Sequence, residues 1–568
     1  MKIIGLNFGE FNSSAAGCIK GKIIAGCAEE RFIRQKKTKN FPYNSFKFCL
    51  KAMKVKFDEL SLIAQAWNPG AKWINFNPLI SGHRKNREDY FYSLPDHLYN
   101  LKNKRTSPDY VIQEIEGKFP KIFYIKHHLC HAANAFFLSN FKRAAFLTAD
   151  WQGELQSITK GFAHENKIKV IDEQWMPNSI GMFYSTFTQL LGFRPDNDEW
   201  KVMAMSAENV DSKELEKKIL STISLLDNGK FELDQSYYTG SLKDQPLLYS
   251  KKLVELLSSS SKIKKDKENY IWKCQVAKAM QIVSEKIIWH ILNDLYSKTK
   301  LPNLVLSGGF FMNCVLNGKV LKNTRFKKIY ISHSPDDVGN AIGAALYAYH
   351  CILKNNRVIN NSKSNIGPSF SNKNIIETLE KRKIQFSIIN DPHKKIASFL
   401  SKGKIVAINQ GKMEFGDRAL GFRSILADPR KSDIKDIVNS IIKYREEFRP
   451  FAPSILSSKV NKVFDVRKEY ECGYMEKVVW VKPEWKEKIP GVIHFDGSAR
   501  AQTVKKIDNP YFYKIIEEFE NLTDIPLVLN TSFNINGEPI VLTPDDALNT
   551  FFNSGLEILL LNNVLIQK

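Results

Sequence analysis

Residues 122–154 read IFYIKHHLCHAANAFFLSNFKRAAFLTADWQGE, and this succession of patterns leaves few folds open. Ile122-Phe123-Tyr124-Ile125 is a β-branched and aromatic run that predicts a short buried strand. From about His128 to Leu138, apolar Leu129, Ala132, Ala133, Phe136 and Phe137 predict a buried helix. Ala144 to Thr148 predicts a second strand, with Asp150 just past its end. His127 and His131 are four apart and share one face if the helix starts by His127. Two imidazoles on one helical face and a carboxylate at a strand terminus suit a borderline transition metal. A histidine pair at this spacing is also common as core filler. No HExxH is present, so a protease of that type is not indicated.

At 568 residues the chain predicts at least two domains, each with its own core. Hydrophobic residues at 43% and charged ones at 25% are ordinary for a soluble globular protein. No apolar run is long enough to span a bilayer, and MKIIGLNF at the start has no secretory character, so the expected location is the cytoplasm. The eight cysteines are scattered without a CxxC pair, against a disulfide framework or a zinc ribbon. Cys130 lies between the histidines but would point away from both. The net charge of +23 permits nucleic acid or anionic substrates. The Lys and Arg are spread along the whole chain, however, and a biased composition explains them as well as a basic face does. No RNA-recognition signature is visible.

Taken in order, Lys2 to Leu6, Ala15 to Ile19 and Ile23 to Ala28 read as strands. The turn from Gly9 to Ser14 either cradles a phosphate or simply reverses the chain. Glu29-Glu30-Arg31-Phe32 and Arg34 read by themselves as a solvated face. Lys201 either meets an anion in a cleft or is exposed. Asn303 to Leu306 predicts a strand that leads into Ser307-Gly308-Gly309, where paired glycines let the backbone approach a nucleotide. Lys328 to Ser332 predicts another strand, which brings Asp337 near a strand end before the small-residue helix Asn340 to Tyr347. Strand ends converging on one edge are where open α/β sheets bind ligands. The aromatic and basic stretch Asn68 to Pro120 carries no readable motif, and Asp211 to Lys267, charged and Ser-rich, reads as helical packing. Asn355 to Asn372 is polar and aperiodic, a linker pattern. After it, Lys404 to Asn409 and Leu527 to Asn530 predict strands, the latter followed by a polar turn from Asn530 to Asn534. Arg418, Arg423, Lys443, Arg445, Arg449 and Arg500 are cations suited to phosphate, with an exposed basic face as the alternative.

These residues resemble the O-carbamoyltransferase family of nodulation-factor, cephem-antibiotic and aminoglycoside biosynthesis. The resemblance runs over nearly the whole chain. It is carried by Glu30-Arg31-Phe32, His127-xxx-His131, Asp150-xx-Gly153-Glu154, Ser307-Gly308-Gly309 with Asn313-Cys314, Asp337-x-Gly339, Met413-Glu414-Phe415-Gly416 with Arg418-Ala419-Leu420, Phe448-Arg449-Pro450-Phe451-Ala452-Pro453, Asp496-Gly497 with Arg500-x-Gln502, and Leu529 to Asn534.

The resemblance implies an α/β enzyme with an actin-like ATPase (ASKHA) fold over residues 1–354, a linker at 355–372 and a YrdC-like domain over 373–568. It implies that carbamoyl phosphate and ATP give carbamoyladenylate in the second domain, and that a hydroxyl acceptor takes the carbamoyl group in the first. Lys443, Arg445, Ser532 and Asn534 match the YrdC pattern and carry its catalytic expectation, with Arg418, Arg423, Arg449, Arg500 and Asn530 around the phosphates. Asn12, Gly153, Lys201, Ser307, Gly308, Gly309 and Asn313 are the expected nucleotide contacts of the first domain. The metal set falls on His127, His131, Asp150 and Asp337, for Fe(II) or another divalent transition metal, with Mg-ATP as cosubstrate and His127 also expected in catalysis. Where the family's first turn carries His-Asp, this chain has Glu10-Phe11-Asn12-Ser13, so the acceptor's base is Glu10 or another group.

Chemistry agrees with this division. Joining two phosphate-bearing anions requires charge neutralisation, which guanidinium forks provide. A mixed anhydride hydrolyses readily, so an enclosed route for it would protect it. The expected acceptor is a small molecule or sugar, with no membrane partner, nucleic acid not expected and a homodimer allowed. The competing expectations are a tRNA threonylcarbamoyl-transfer relative, which would use the positive charge, and a carbohydrate-binding protein with a dead site.

Overall fold

The β-branched run at the start forms the strand Lys2–Asn7, which pairs antiparallel with Ser14–Ile19, itself followed by Lys22–Ala28. Leu62–Gln65 then pairs parallel to Lys2–Asn7, and Lys121–Ile125 parallel to Leu62–Gln65. Tyr110–Gln113 and Thr106–Ser107 extend that edge to complete seven strands. A second sheet repeats the scheme. Arg143–Ala149, Gln156–His164 and Lys167–Trp175 are antiparallel neighbours, and Asn303–Ser307 and Lys328–Ile331 follow in parallel on the other side of Arg143–Ala149. Three antiparallel strands and then two parallel ones, twice in one chain, is the duplicated layout expected of the actin-like fold. The computed structural model describes residues 1–9, 12–68, 106–107, 109–114, 118–240, 246–258, 269–360, 363–445 and 449–568. Glu10, most of the stretch from Asn68 to Pro120 and parts of that from Asp211 to Lys267 lie outside them.

The helix His127–Leu138 begins one residue earlier than its apolar pattern suggests, and all its residues are buried. It packs on the equally buried helix Asn340–Tyr347. A helix apolar all round belongs in a core, and truncating Phe136 or Phe137, both fully buried, would cost about 3–5 kcal/mol. Cys130 turns its thiol towards the Ile125 carbonyl, away from the imidazoles.

From Lys363 on, the main sheet has eight strands, in the order Ser387–Ile388, Val564–Gln567, Ile558–Leu561, Val406–Asn409, Arg423–Ala427, Leu527–Ser532, Ala452–Leu456 and Gln502–Val504, beside a small pair formed by Val479–Trp480 and Ser498–Ala499. The helices Pro392–Ser401 and Pro510–Thr523 close its core, with Ile396, Leu400, Phe512 and Phe519 fully buried. Leu527–Ser532 runs two residues further than expected. Asn530 and Ser532 are therefore strand residues paired with Arg423–Ala427, not a turn.

The compact units do not follow a single cut. One is Met1–Gly26 with Lys39–Ser362; the other is Cys27–Thr38 with Lys363–Lys568. The expected solvated face at Glu29 to Arg34 is instead largely buried in the second unit. Arg31 pairs with Glu30 at 2.9 Å and donates to the Gly416 carbonyl. Arg34 donates to the carbonyls of Pro539 and Ile540, and Phe32 packs on Met413, Ala419, Ile540 and Leu542. Two residues of the expected linker are tied down as well. Asn360 accepts from Ile23 N–H and donates to the Gly21 carbonyl, while Arg357 donates to the carbonyls of Phe136 and Ser139. Among the described residues no helix is long and apolar enough to cross a membrane. All eight cysteines are free thiols.

Candidate metal centre and candidate anion site

The first unit gathers His127, His131, Asp150 and Asp337, each offering one ligand atom within 4.8 Å of the others. The His127–Leu138 helix stacks its two imidazoles on one face, with Nε2 atoms 3.0 Å apart. The parallel pairing of Arg143–Ala149, Asn303–Ser307 and Lys328–Ile331 carries both carboxylates to the same strand ends. His131 Nε2 lies 3.1 Å from Asp150 Oδ2 and 3.1 Å from Asp337 Oδ1, and His127 Nε2 lies 3.2 Å from Asp337 Oδ1. Donors held at about 2.0–2.2 Å from one ion stand about 3.0–3.4 Å apart. The set fits a divalent ion with open positions, and its nitrogen and oxygen donors suit iron, zinc or manganese alike.

The electrostatics run the same way. Burial opposes a charged His127, but Asp337 and Asp150 outweigh it and hold the imidazole well above its usual range. Burial opposes a charged Asp150, and the hydrogen bonds and charges of His127 and His131 overcome it, holding that carboxyl well below the usual range. A pocket that accumulates protons on facing imidazoles is one in which a cation can replace them.

Surrounding groups orient the donors. Gly309 N–H donates to Asp150 Oδ2 at 2.9 Å. Gly308 has φ +103°, and a Cβ there would sit 2.1 Å from the Ala149 carbonyl oxygen, so only glycine fits this turn. A Cβ on Gly153 would come within 2.8 Å of His128 Cδ2. Glu154 is fully buried and accepts from the N–H groups of Asn68 and His127, the latter an otherwise unpaired donor of the helix's first turn. Asn340, which sequence reading did not single out, places its amide 3.1 Å from His131 Nε2 and 3.4 Å from His127 Nδ1. Its place one residue after Asp337-x-Gly339, at the start of a small-residue helix, is the signal that could have found it.

Several residues expected at the nucleotide make other contacts. Asn313 caps the helix Cys314–Asn323 and exchanges hydrogen bonds with Gln281, so its amide is committed inside the fold. Lys201 lies 3.4 Å from Asp198 and near the rings of Phe193 and Trp200. Asn12 accepts from Asn7 through its carbonyl. Ser307 sits on the metal cluster, with Gly308 and Gly309 beside Asp150.

The second unit brings Lys443, Ser532 and Asn534 together. Lys443, at the end of the π-helical segment Val438–Lys443, donates to the Ser532 carbonyl, the Ser532 hydroxyl at 3.3 Å and the Asn534 carbonyl and side-chain oxygens at 2.9 Å. Ser532 in turn donates to Asn534 Oδ1 at 2.7 Å. Burial first, then Arg445, Arg449 and Lys36, lower the Lys443 ammonium well below its usual range. Such a crowd of cations favours an anion. Lys36, on the Cys27–Thr38 segment, is a contributor that sequence reading missed, because the segment looked like a solvated face. Arg445 donates to Asn439 and stacks on Phe451. Arg418 is half-buried and has no hydrogen bond or ion pair to the described residues.

Two residues expected at the phosphates make other contacts. Arg423 is fully buried, and its guanidinium donates to the carbonyls of Pro368, Gln410, Gly411 and Phe422. It braces the loop before its own strand, and burial pushes its pKa down to about 10. Asn530 is buried, and its amide donates to Ala419, Ser454 and Gln502. Arg449 and Arg500 are half-buried.

The fold and this cluster define a two-unit α/β protein with a candidate transition-metal centre in the first unit and a cation-rich site in the second. Residues 2–346 match the model of the carbamoyltransferase N-terminus and residues 397–568 that of the carbamoyltransferase C-terminus. The chain is 32% identical over 597 residues to protein sll1178 of Synechocystis sp., covering 98% of this chain and 95% of that one. It is 30% identical to nodulation protein NolNO of Sinorhizobium fredii, covering 96% of this chain and 78% of that one. T. kodakarensis HypF aligns with 62% of this chain and 48% of its own at 11% identity, but a TM-score of 0.31 is too low to carry a conclusion. The chain belongs to the carbamoyltransferase family.

Proposed function

We propose that the protein is an O-carbamoyltransferase that makes carbamoyladenylate from carbamoyl phosphate and ATP and passes the carbamoyl group to a hydroxyl of a small-molecule or sugar acceptor. The observation that carries this is the presence of both family halves in one chain together with the four-donor cluster in the first. Nodulation proteins are among its relatives, in keeping with the resemblance that makes a small molecule or sugar the expected acceptor. The units correspond in this reading to an actin-like carbamoyl-transfer domain and a YrdC-like adenylate-forming domain.

In the second unit, Lys443, Ser532 and Asn534 bind and orient the nucleotide. Arg418, Arg445, Arg449 and Arg500 neutralise the phosphates, so that the charge developing on the departing pyrophosphate is stabilised. Lys36 adds to that field. In the first unit, His127, His131, Asp150 and Asp337 hold the divalent ion. Bound there, the ion supplies Lewis-acid polarisation of the carbamoyl carbonyl or anchorage for the AMP phosphate. Gly309 and Glu154 keep the ligands in place. The acceptor hydroxyl gives up its proton to a base, which is Glu10 or another group.

The test is incubation of the full-length chain with carbamoyl phosphate and ATP. Release of pyrophosphate without acceptor, followed by a carbamoyl mass gain on an added sugar or pathway intermediate, supports the reading. No pyrophosphate release from well-folded, metal-loaded protein would refute it.

A further inference from the structure

We infer that Ser307 is a positioning residue that keeps the proton of His131 on Nδ1 and thereby presents the Nε2 lone pair to the metal. The inference rests on the four-donor cluster being a metal site. Ser307 ends the strand Asn303–Ser307 and is fully buried. Its hydroxyl lies 3.0 Å from the Pro335 carbonyl oxygen and 3.3 Å from His131 Nδ1.

A hydroxyl has one hydrogen, and a carbonyl oxygen can only accept. The shorter contact therefore takes the hydrogen to Pro335, and the serine turns a lone pair to the imidazole. His131 Nδ1 must then carry a hydrogen of its own. The resulting chain runs from Nδ1–H to the Ser307 hydroxyl and on to Pro335. The acceptor at its end is fixed, because Gly308 N–H also donates to the Pro335 carbonyl, at 2.7 Å.

The far side of the ring gives an independent reason. His131 Nε2 faces Asp150 and Asp337 at 3.1 Å each. An ion among these oxygens needs a lone pair on Nε2, so the ring's remaining hydrogen must lie on Nδ1, where only an acceptor is tolerated. Ser307 is that acceptor. The strand pairing that sets Ser307 opposite Thr148 brings it from another part of the chain to the one ring atom the ion does not use.

The experiment uses the full-length protein with zinc or cobalt alone as the probe. Zinc affinity is measured by chelator competition for the wild type, Ser307→Ala and Ser307→Thr. Ser307→Ala is expected to bind zinc roughly ten- to a hundredfold more weakly and to shift the cobalt absorption spectrum, while Ser307→Thr, which keeps the oxygen, recovers most of the affinity. Ring ¹⁵N shifts in the zinc-loaded wild type are expected to show His131 with its hydrogen on Nδ1. This last measurement keeps the inference open to refutation even if Ser307→Ala does not fold. Unchanged affinity and spectrum in folded Ser307→Ala, or a hydrogen on Nε2 in the zinc-loaded wild type, overturns the inference and leaves the metal site standing. Failure of the wild type to bind zinc stoichiometrically overturns the metal reading and this inference together.

Discussion

Asp337 Oδ1 lies 3.1 Å from His131 Nε2 although 206 residues separate them in sequence. The contact exists because Lys328–Ile331 pairs in parallel with Asn303–Ser307, and that strand with Arg143–Ala149. Parallel strands end at the same edge, so residues just past their ends meet.

The first prediction concerns metal content. Protein carrying His127→Ala and His131→Ala should lose its bound transition metal by elemental analysis, since it keeps only two of the four donors. Unchanged stoichiometry in the folded variant would remove the site assignment.

A second prediction separates the two sites. Lys443→Ala removes a charged donor shared by Ser532 and Asn534. A charged hydrogen bond of this type contributes about 1.5–3 kcal/mol, so pyrophosphate release should fall roughly ten- to a hundredfold, and overall transfer with it. His131→Ala should leave pyrophosphate release near wild type and abolish carbamoylation of the acceptor. Equal loss of pyrophosphate release in both variants would argue for one composite site.

The Cys27–Thr38 segment carries a stability prediction. Arg31→Ala leaves Glu30 buried without its partner at 2.9 Å, and breaking a buried pair costs about 3–5 kcal/mol. Denaturant titration of the full chain should show an earlier transition for the C-terminal unit. A fragment starting at Lys363 lacks the segment altogether and should be less stable than that unit in the intact protein. A fragment of equal midpoint would mean that the segment merely rests on the surface.

The fourth prediction is a pH dependence. His350 is buried and stacks on Phe137 at 4.4 Å. Burial, with Arg357 nearby, pushes its pKa down to about 4 from 6.5. Between those values the unfolded chain binds more protons than the folded one, so stability falls as pH drops from about 6.5 to about 4 and changes no further below that. The loss should be on the order of 3 kcal/mol. His350→Phe should flatten this limb in denaturant titrations at several pH values. An identical slope in wild type and variant would assign the acid sensitivity elsewhere.

What the sequence by itself determined is local. The apolar run at Leu129 to Leu138, the β-branched strands on either side and the spacing of His127 and His131 depend on neighbours within a few residues, where periodicity and steric preference are decisive. The family motifs likewise marked Asp150, Asp337, Lys443, Ser532 and Asn534 as residues worth following. Tertiary structure alone decided which side chains meet. Arg423 and Arg418 are equally plausible phosphate ligands in sequence, yet four carbonyls surround the first and the second is left open. Glu30 and Arg31 look solvated until the chain carries them into the second unit. Ser307 belongs to a glycine-rich turn in sequence and becomes the partner of His131 only through strand pairing. A charged or polar side chain has no fixed role until burial removes water as its alternative partner, and burial is set by contacts far along the chain.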